Sequence, residues 1–158
     1  MTDDIATLRR ILRDCRTIAV VGLSADWHRP SHFAAKYMQQ HGYRIVPVNP
    51  RYDSILGERS YKALQDIPFP VDMVDVFRRT EDVLPFAQGA IAIGAKCLWQ
   101  QIGVKNLQAD ALVRGAGLDD FVRYRGRRGG GVPLPQRALH GQARGEPGRY
   151  GVSDFPSR

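Results

Sequence analysis

Four short apolar runs punctuate the chain between Thr17 and Leu118: Ile18-Ala19-Val20-Val21, Ile45-Val46-Pro47-Val48, Met73-Val74-Asp75-Val76 and Ala90-Ile91-Ala92-Ile93. Each is continuous rather than alternating, the pattern of strands covered on both faces of a sheet. Amphipathic segments lie between them. Phe33, Ala34, Tyr37 and Met38 recur at helical spacing, and Gly42 supplies a stop signal. Val83, Leu84 and Ala87 follow Thr80, a candidate helix cap with Glu81 and Asp82 in the first turn. Ile102, Leu107, Ala111, Leu112 and Ala116 predict a last helix ending at Gly117, and Ile5, Leu8, Ile11 and Leu12 a short leading one. Strands alternating with helices predict an α/β fold, a Rossmann-like three-layer sandwich around a parallel sheet of about five strands with right-handed crossovers.

Beyond Leu118 the order stops. Residues 119–158 hold 8 Gly, 4 Pro and 8 Arg with no Lys, including the run Gly129-Gly130-Gly131. Such a stretch has too little apolar surface to offset its ordering entropy. This predicts a folded domain over 1–124 and an irregular Gly/Arg/Pro-rich tail over 125–158, either disordered or the product of a shifted reading frame. Asp119 and Asp120 would sit badly in a buried strand, because an unpaired carboxylate is costly to desolvate. A short strand around 118–123, at the sheet edge where Asp119 and Arg123 reach water, fits better.

Charge changes the picture only in the tail. The net charge is +7. Residues 1–118 carry 15 Lys+Arg against 12 Asp+Glu, or +3, and residues 119–158 carry 8 against 4, or +4. The domain itself is near balance, and the sparse aromatics of the tail argue against a nucleic-acid arm. Cys15 and Cys97 form no metal or disulfide pattern. No apolar run approaches the roughly 18 residues of a membrane span, and Met1-Thr2-Asp3-Asp4 is not a secretory start. A cytoplasmic protein with no membrane partner is expected.

In an open parallel sheet, ligands bind beyond the carboxyl ends of the strands, where strand order reverses. The loop after the first run reads Gly22-Leu23-Ser24-Ala25-Asp26-Trp27-His28-Arg29-Pro30-Ser31. Gly22 permits a sharp turn and close approach, Pro30 suits the first turn of a helix, and a helix N-terminus favours phosphate. Arg29, Ser24 and Ser31 add donors. The fingerprints GxGxxG and GxxxxGK[ST] are both absent. The second run ends in Asn49-Pro50-Arg51 where an NAD-binding domain would carry a carboxylate. Arg51 could neutralise the extra ribose phosphate of CoA or NADP, so NAD is disfavoured. Arg78, after the third run, and Lys96, after the fourth, are placed for further polar contacts. Arg79 reads as a solvated charge and Trp99 as a packing residue. His28 is the histidine nearest the loop chemistry, but no carboxylate pair or activated nucleophile accompanies it. A binding module is favoured over an enzyme, with an NADP-dependent oxidoreductase or another nucleotide-binding protein as the alternative.

The run Ile18–Ser24, Arg29-Pro30-Ser31, Gly42-Tyr43 and Pro47–Pro50 resembles the small bacterial CoA-binding proteins. These are stand-alone Rossmann domains similar to the N-terminal domain of the succinyl-CoA synthetase alpha subunit. The likeness continues through Asp72–Arg78, Gly94-Ala95-Lys96, Trp99-Gln100 and Ala116-Gly117-Leu118, and it ends there. The resemblance implies that coenzyme A or an acyl-CoA is the ligand, bound by a carrier or sensing module without its own catalytic centre. It implies a phosphate loop of Gly22, Leu23, Ser24, Arg29 and Ser31. It places Asn49, Pro50 and Arg51 beside adenosine, and Phe77, Arg78 and Lys96 beside pantetheine.

Overall fold

The computed structural model describes residues 5–101 and 104–122. Seven strands and four helices follow in order: α1 (Ile5–Asp14), β1 (Thr17–Val21), α2 (Pro30–Gln40), β2 (Arg44–Val48), β3 (Ser54–Ile55), β4 (Glu58–Arg59), β5 (Met73–Val76), α3 (Leu84–Ala92), β6 (Cys97–Gln100), α4 (Leu107–Gly115) and β7 (Asp119–Val122). Five of the strands form one parallel sheet in the order β2-β1-β5-β6-β7. β3 and β4 make a separate antiparallel ribbon.

Alternate residues of each sheet strand face opposite layers, as a period of two requires. Ile18, Val20, Ile45, Met73, Cys97 and Trp99 pack beneath α1 and α2 with Leu8, Ile11, Ala35 and Met38. Ala19, Val21, Val46, Val74, Val76 and Leu98 pack against α3 and α4 with Ala87, Ala90, Ala109 and Val113. The result is the three-layer α/β sandwich expected from the sequence.

One strand differs from expectation. Ala90–Ile93 is not the fourth strand but the end of α3, which runs from Leu84 with one polar side chain, Gln88. Alanine is the best helix former and gains nothing in a sheet. Gly94 then turns the chain with φ +73°, and the strand is Cys97-Leu98-Trp99-Gln100, in parallel register with Met73–Val76. Trp99 is a buried packing residue there. Thr80 caps no helix by its side chain; it opens a short 3-10 turn, Thr80–Asp82, and α3 follows with Val83 at its cap position and Pro85 in its first turn.

The fifth sheet strand is β7, paired along β6 from Cys97↔Asp119 to Gln100↔Val122. Its aspartates are accommodated by arginines on both layers. Arg10 of α1 grips Asp119 with two hydrogen bonds of 2.9 Å. Asp120 is buried, and Arg114 Nε of α4 lies 3.2 Å from its Oδ2, an ion pair not aligned as a hydrogen bond. The proposed boundary at residue 124, the tail 125–158 and Arg123 lie outside the described residues.

Candidate functional site

The chain runs from β1 outward to β2 and then crosses back to β5 on the other side of β1. Strand order therefore reverses between β1 and β5, and a crevice opens beyond their carboxyl ends. Its volume is about 1300 Å³, and its walls include the β1–α2 loop, the turn after β2, the segment after β5 and Gln101 after β6.

Gly22 is the pivot. Its φ is +80°, and an added Cβ would overlap the carbonyl oxygen of Phe77. The Gly22 N–H donates to Val48 O at 3.0 Å and the Phe77 N–H to Val21 O at 2.9 Å, so three strand ends meet at this point. Only glycine gives both the left-handed backbone and the close approach. The Arg78 guanidinium stands over the same position, with its Nε 3.4 Å from where that Cβ would lie.

The loop after Gly22 is held by its own polar residues. Ser31 Oγ, buried at the start of α2, accepts the Ser24 N–H at 3.2 Å. Ser24 Oγ accepts the Asp26 N–H at 3.1 Å. Asp26 Oδ1 takes the His28 N–H and contacts its Nδ1, both at 3.0 Å. The His28 backbone bond, and then its ring, hold the Asp26 carboxyl below its ordinary range. Pro30 opens α2, and Arg29 at the cap position makes no side-chain cap bond. The Arg29 guanidinium is 71% exposed and 3.9 Å from Asp26, free to turn toward a ligand. His32 Nδ1 lies 2.9 Å from Ser24 O. His41 likewise sits 2.7 Å from Tyr37 O.

Asn49 braces the β2 side. Its Nδ2 donates to Leu23 O at 2.9 Å and its Oδ1 accepts the Arg51 N–H at 3.0 Å. These bonds fix Leu23, which is fully buried, and present Arg51 at the rim. The crevice thus brings together Gly22, Ser24, Arg29, Ser31, Asn49, Pro50, Arg51, Phe77 and Arg78. Four arginines (29, 51, 78 and 79) face two aspartates (26 and 82), a surplus of two positive charges. Arg79 is tied to Asp82 at 3.1 Å and Glu81 at 3.5 Å, which leaves Arg29, Arg51 and Arg78 as the cations best placed for an anion.

Lys96 does not join them. Because β6 begins after it rather than before it, Lys96 lies at the amino ends of the strands, on the opposite rim of the sheet. Its Nζ is 2.9 Å from Asp72 Oδ1. Burial alone would raise the Asp72 carboxyl, but the N–H groups of Thr17 and Arg16 and the Lys96 ammonium together hold it below its ordinary value. Lys96 also borders a separate cavity of about 480 Å³ with Arg10, Asp14, Cys15 and Asp119. Cys15 and Cys97 are buried; burial pushes the Cys15 thiol up to about 11 and the Cys97 thiol up as well. Neither borders the crevice. Among the described residues, no three His, Cys, Asp or Glu side chains gather as a metal would need, and no helix is long and apolar enough to cross a membrane.

Several crevice residues carry no sequence signal strong enough to find them. Phe33 is 57% exposed on the wall formed by α2, and Tyr52, Val104 and Gln101 complete the lining. Gln101 Nε2 donates to Asp75 Oδ1 at 2.7 Å. Asp75 is buried in the central strand, and that burial raises its carboxyl to about 7 against the opposing effect of the Gln101 bond. A carboxylate inside an apolar run was the available clue.

Comparison with known proteins agrees with this arrangement. The chain is 39% identical over 112 residues to the uncharacterized protein YneT of Bacillus subtilis, covering 71% of this chain and 83% of that one. A solved hypothetical protein from Pyrococcus horikoshii superposes with a TM-score of 0.73 at 33% identity, covering 77% of this chain and 89% of that one. A 58-residue stretch is 28% identical to the ADP-forming acetate–CoA ligase of Methanocaldococcus jannaschii, covering 37% of this chain but 8% of that enzyme. The family model for the CoA binding domain matches residues 16–123, well over half of the sequence, and the chain belongs to that family.

Proposed function

We propose that the protein binds coenzyme A or an acyl-CoA in the crevice between β1 and β5 and acts as a carrier or sensing module without a catalytic centre. The observation that carries this reading is the Gly22–Phe77 contact with Arg78 beside it, in a crevice that Arg29 and Arg51 also line. The glycine lets the backbone close on a diphosphate, Arg29 and Arg78 supply charge at that point, and Arg51 stands where the ribose phosphate of the adenosine would lie. Charge-assisted contacts of this kind are the strong ones. The proposal leaves Lys96 out of the ligand site and keeps Asn49 and Pro50 as the brace that presents Arg51. Neither buried thiol is positioned to attack a thioester, and Ser24 Oγ is engaged with the Asp26 N–H.

NADP is the competing ligand, since Arg51 would serve its ribose phosphate equally. A thermal-shift panel of CoA, acetyl-CoA, NADP and NAD separates them. A ligand at 100 times its Kd adds about 2.7 kcal/mol, which raises the Tm of a domain of this size by roughly 5–10 °C. CoA and acetyl-CoA are expected to give that shift and NAD none. Stabilisation by NADP with no response to CoA would overturn the reading.

A further inference from the structure

The crevice has an ionisable floor that the proposed binding does not use. Asp75 lies on β5 between Val20 of β1 and Trp99 of β6. Its side chain is 2% exposed. Phe77, whose carbonyl meets Gly22, is two residues further along, roughly 7 Å at strand spacing. Asp75 does not line the crevice; Gln101, which does, donates its Nε2 to the Asp75 carboxyl and so links the two.

We propose that Asp75 is a proton-linked positioning residue of the ligand site: an anionic nucleotide settling over Gln101 drives a proton onto the Asp75 carboxyl, so binding tightens as pH falls. The inference rests on the binding reading above and extends it to the control of affinity.

The sign follows from two effects in the same direction. An occupant covering Gln101 removes the water nearest a carboxylate that is already desolvated, and a diphosphate at the Gly22–Phe77 contact adds an anion on the order of 10 Å away, two residues of strand plus a side chain. Both disfavour the charged form. In the free protein, burial already raises this carboxyl to about 7, so it is mixed in charge at neutral pH. Among the described residues, no cation is among the influences on the Asp75 carboxyl. Burial and the Gln101 amide are the two influences on Asp75, and the titratable group nearest it on β6 is the Cys97 thiol, which is itself raised mainly by burial and which Asp75 raises a little further. The crevice charges, Arg29, Arg51, Arg78 and Arg79 with Asp26 and Asp82, face the ligand above Gln101. A carboxylate and an anion at this separation, at an effective dielectric of about 20, shift the pKa by roughly one unit. Affinity is then constant well below the free-state value, falls as pH rises through it, and levels off about tenfold weaker above the bound-state value.

Gln101 transmits the change because its carboxamide bonds Asp75 and its residue lines the crevice. An ionised Asp75 fixes the amide with Nε2 turned inward. A protonated Asp75 needs that bond less and frees the amide to serve the ligand.

The test is calorimetric titration of dephospho-CoA from about pH 6 to about pH 8.5, since this ligand lacks the phosphomonoester that titrates near about 6. Each point is measured in two buffers of different ionisation enthalpy. The wild type is expected to weaken about tenfold across the range and to take up between zero and one proton, with the maximum near neutrality. Asp75→Asn, which keeps the shape and removes the charge, is expected to bind at the low-pH affinity throughout. Every group other than the residue 75 side chain is the same in both proteins, so the difference between them isolates Asp75. An equal pH slope in the two proteins, or no proton uptake by the wild type, overturns the proposal while leaving CoA binding intact. Linked binding of NADP without binding of dephospho-CoA keeps the role of Asp75 and overturns the CoA reading. Binding of neither ligand overturns both. Even if the variant does not fold, absence of proton uptake by the wild type overturns the proposal.

Discussion

Replacing Gly22 by alanine measures how tightly the strand ends meet at the ligand site, and Gly42 provides the control. Both glycines are left-handed, with φ of +80° and +86°. An alanine at Gly42 meets nothing within 4 Å, so it carries only the backbone cost of about 1–2 kcal/mol. An alanine at Gly22 carries the same cost and also drives its Cβ into the Phe77 carbonyl oxygen. Relief requires β1 and β5 to part at their ends, where the Phe77 N–H bonds Val21 O at 2.9 Å and the Gly22 N–H bonds Val48 O at 3.0 Å. Weakening two such bonds adds about 2 kcal/mol, for a total of about 3–4 kcal/mol. Urea unfolding with linear extrapolation resolves this difference. The Gly22→Ala protein is expected to lose at least about 2 kcal/mol more than Gly42→Ala, because of the clash. CoA affinity is expected to fall in Gly22→Ala and to hold in Gly42→Ala. Equal losses of stability in the two variants would show that the close approach at Gly22 is not what constrains the residue.

Arg29→Ala should weaken CoA and dephospho-CoA alike, and Arg51→Ala should weaken CoA more; with charged contacts at about 1.5–3 kcal/mol, each loss is tenfold or greater, and identical ratios in both variants would refute the separate roles. Lys96→Ala should leave ligand affinity unchanged, because its partner Asp72 lies on the far rim; a drop in CoA affinity would return Lys96 to the site. The same variant should bring acid unfolding to higher pH. Asp72, held below its ordinary carboxyl value, contributes stability above its unfolded pKa of about 3.9 that is lost as pH falls through the lower folded value. Asp75 has the opposite sign: its raised folded value, about 7, means that the ligand-free protein loses stability as pH rises from about 4 to about 7, by up to about 4 kcal/mol. Asp75→Asn should flatten that slope in chemical unfolding, and an unchanged slope would show that Asp75 is not the titrating group.

Much of the fold was legible because β1, β2 and β5 each combine branched apolar residues with covering on both faces, a pattern that survives in one dimension. The fourth strand was not legible. Ala90–Ile93 has the apolar content of a strand, and Cys97–Gln100 mixes a thiol, an indole and an amide, so composition pointed to the wrong segment. That error carried Lys96 to the wrong rim, since a residue before a strand and one after it differ by the whole width of the sheet. The β1–α2 loop was readable from its glycine, proline and hydroxyls, whose roles are local. Asn49 was readable as a polar strand end, but its bonds to Leu23 and Arg51 depend on how β2 meets the neighbouring loop. The Asp75–Gln101 pair spans two strands, and no spacing along the chain encodes it. The aspartates of β7 argued against burial in isolation; Arg10 and Arg114, far away in sequence or across a helix, change that balance.

Those two arginines give the sheet an outer margin of a different material. Inner strands are held mainly by buried hydrocarbon, which electrolyte scarcely affects, whereas β7 is also fastened to one layer through Arg10–Asp119 and to the other through Arg114–Asp120. Added salt screens contacts that reach water over a distance of roughly 10 Å at 0.1 M. Amide hydrogen exchange followed strand by strand would then divide the domain into two zones. Protection in β1 and β5 would track global unfolding at every ionic strength, and protection in β7 would decline as salt is added, through a local opening that leaves the crevice and its ligand undisturbed.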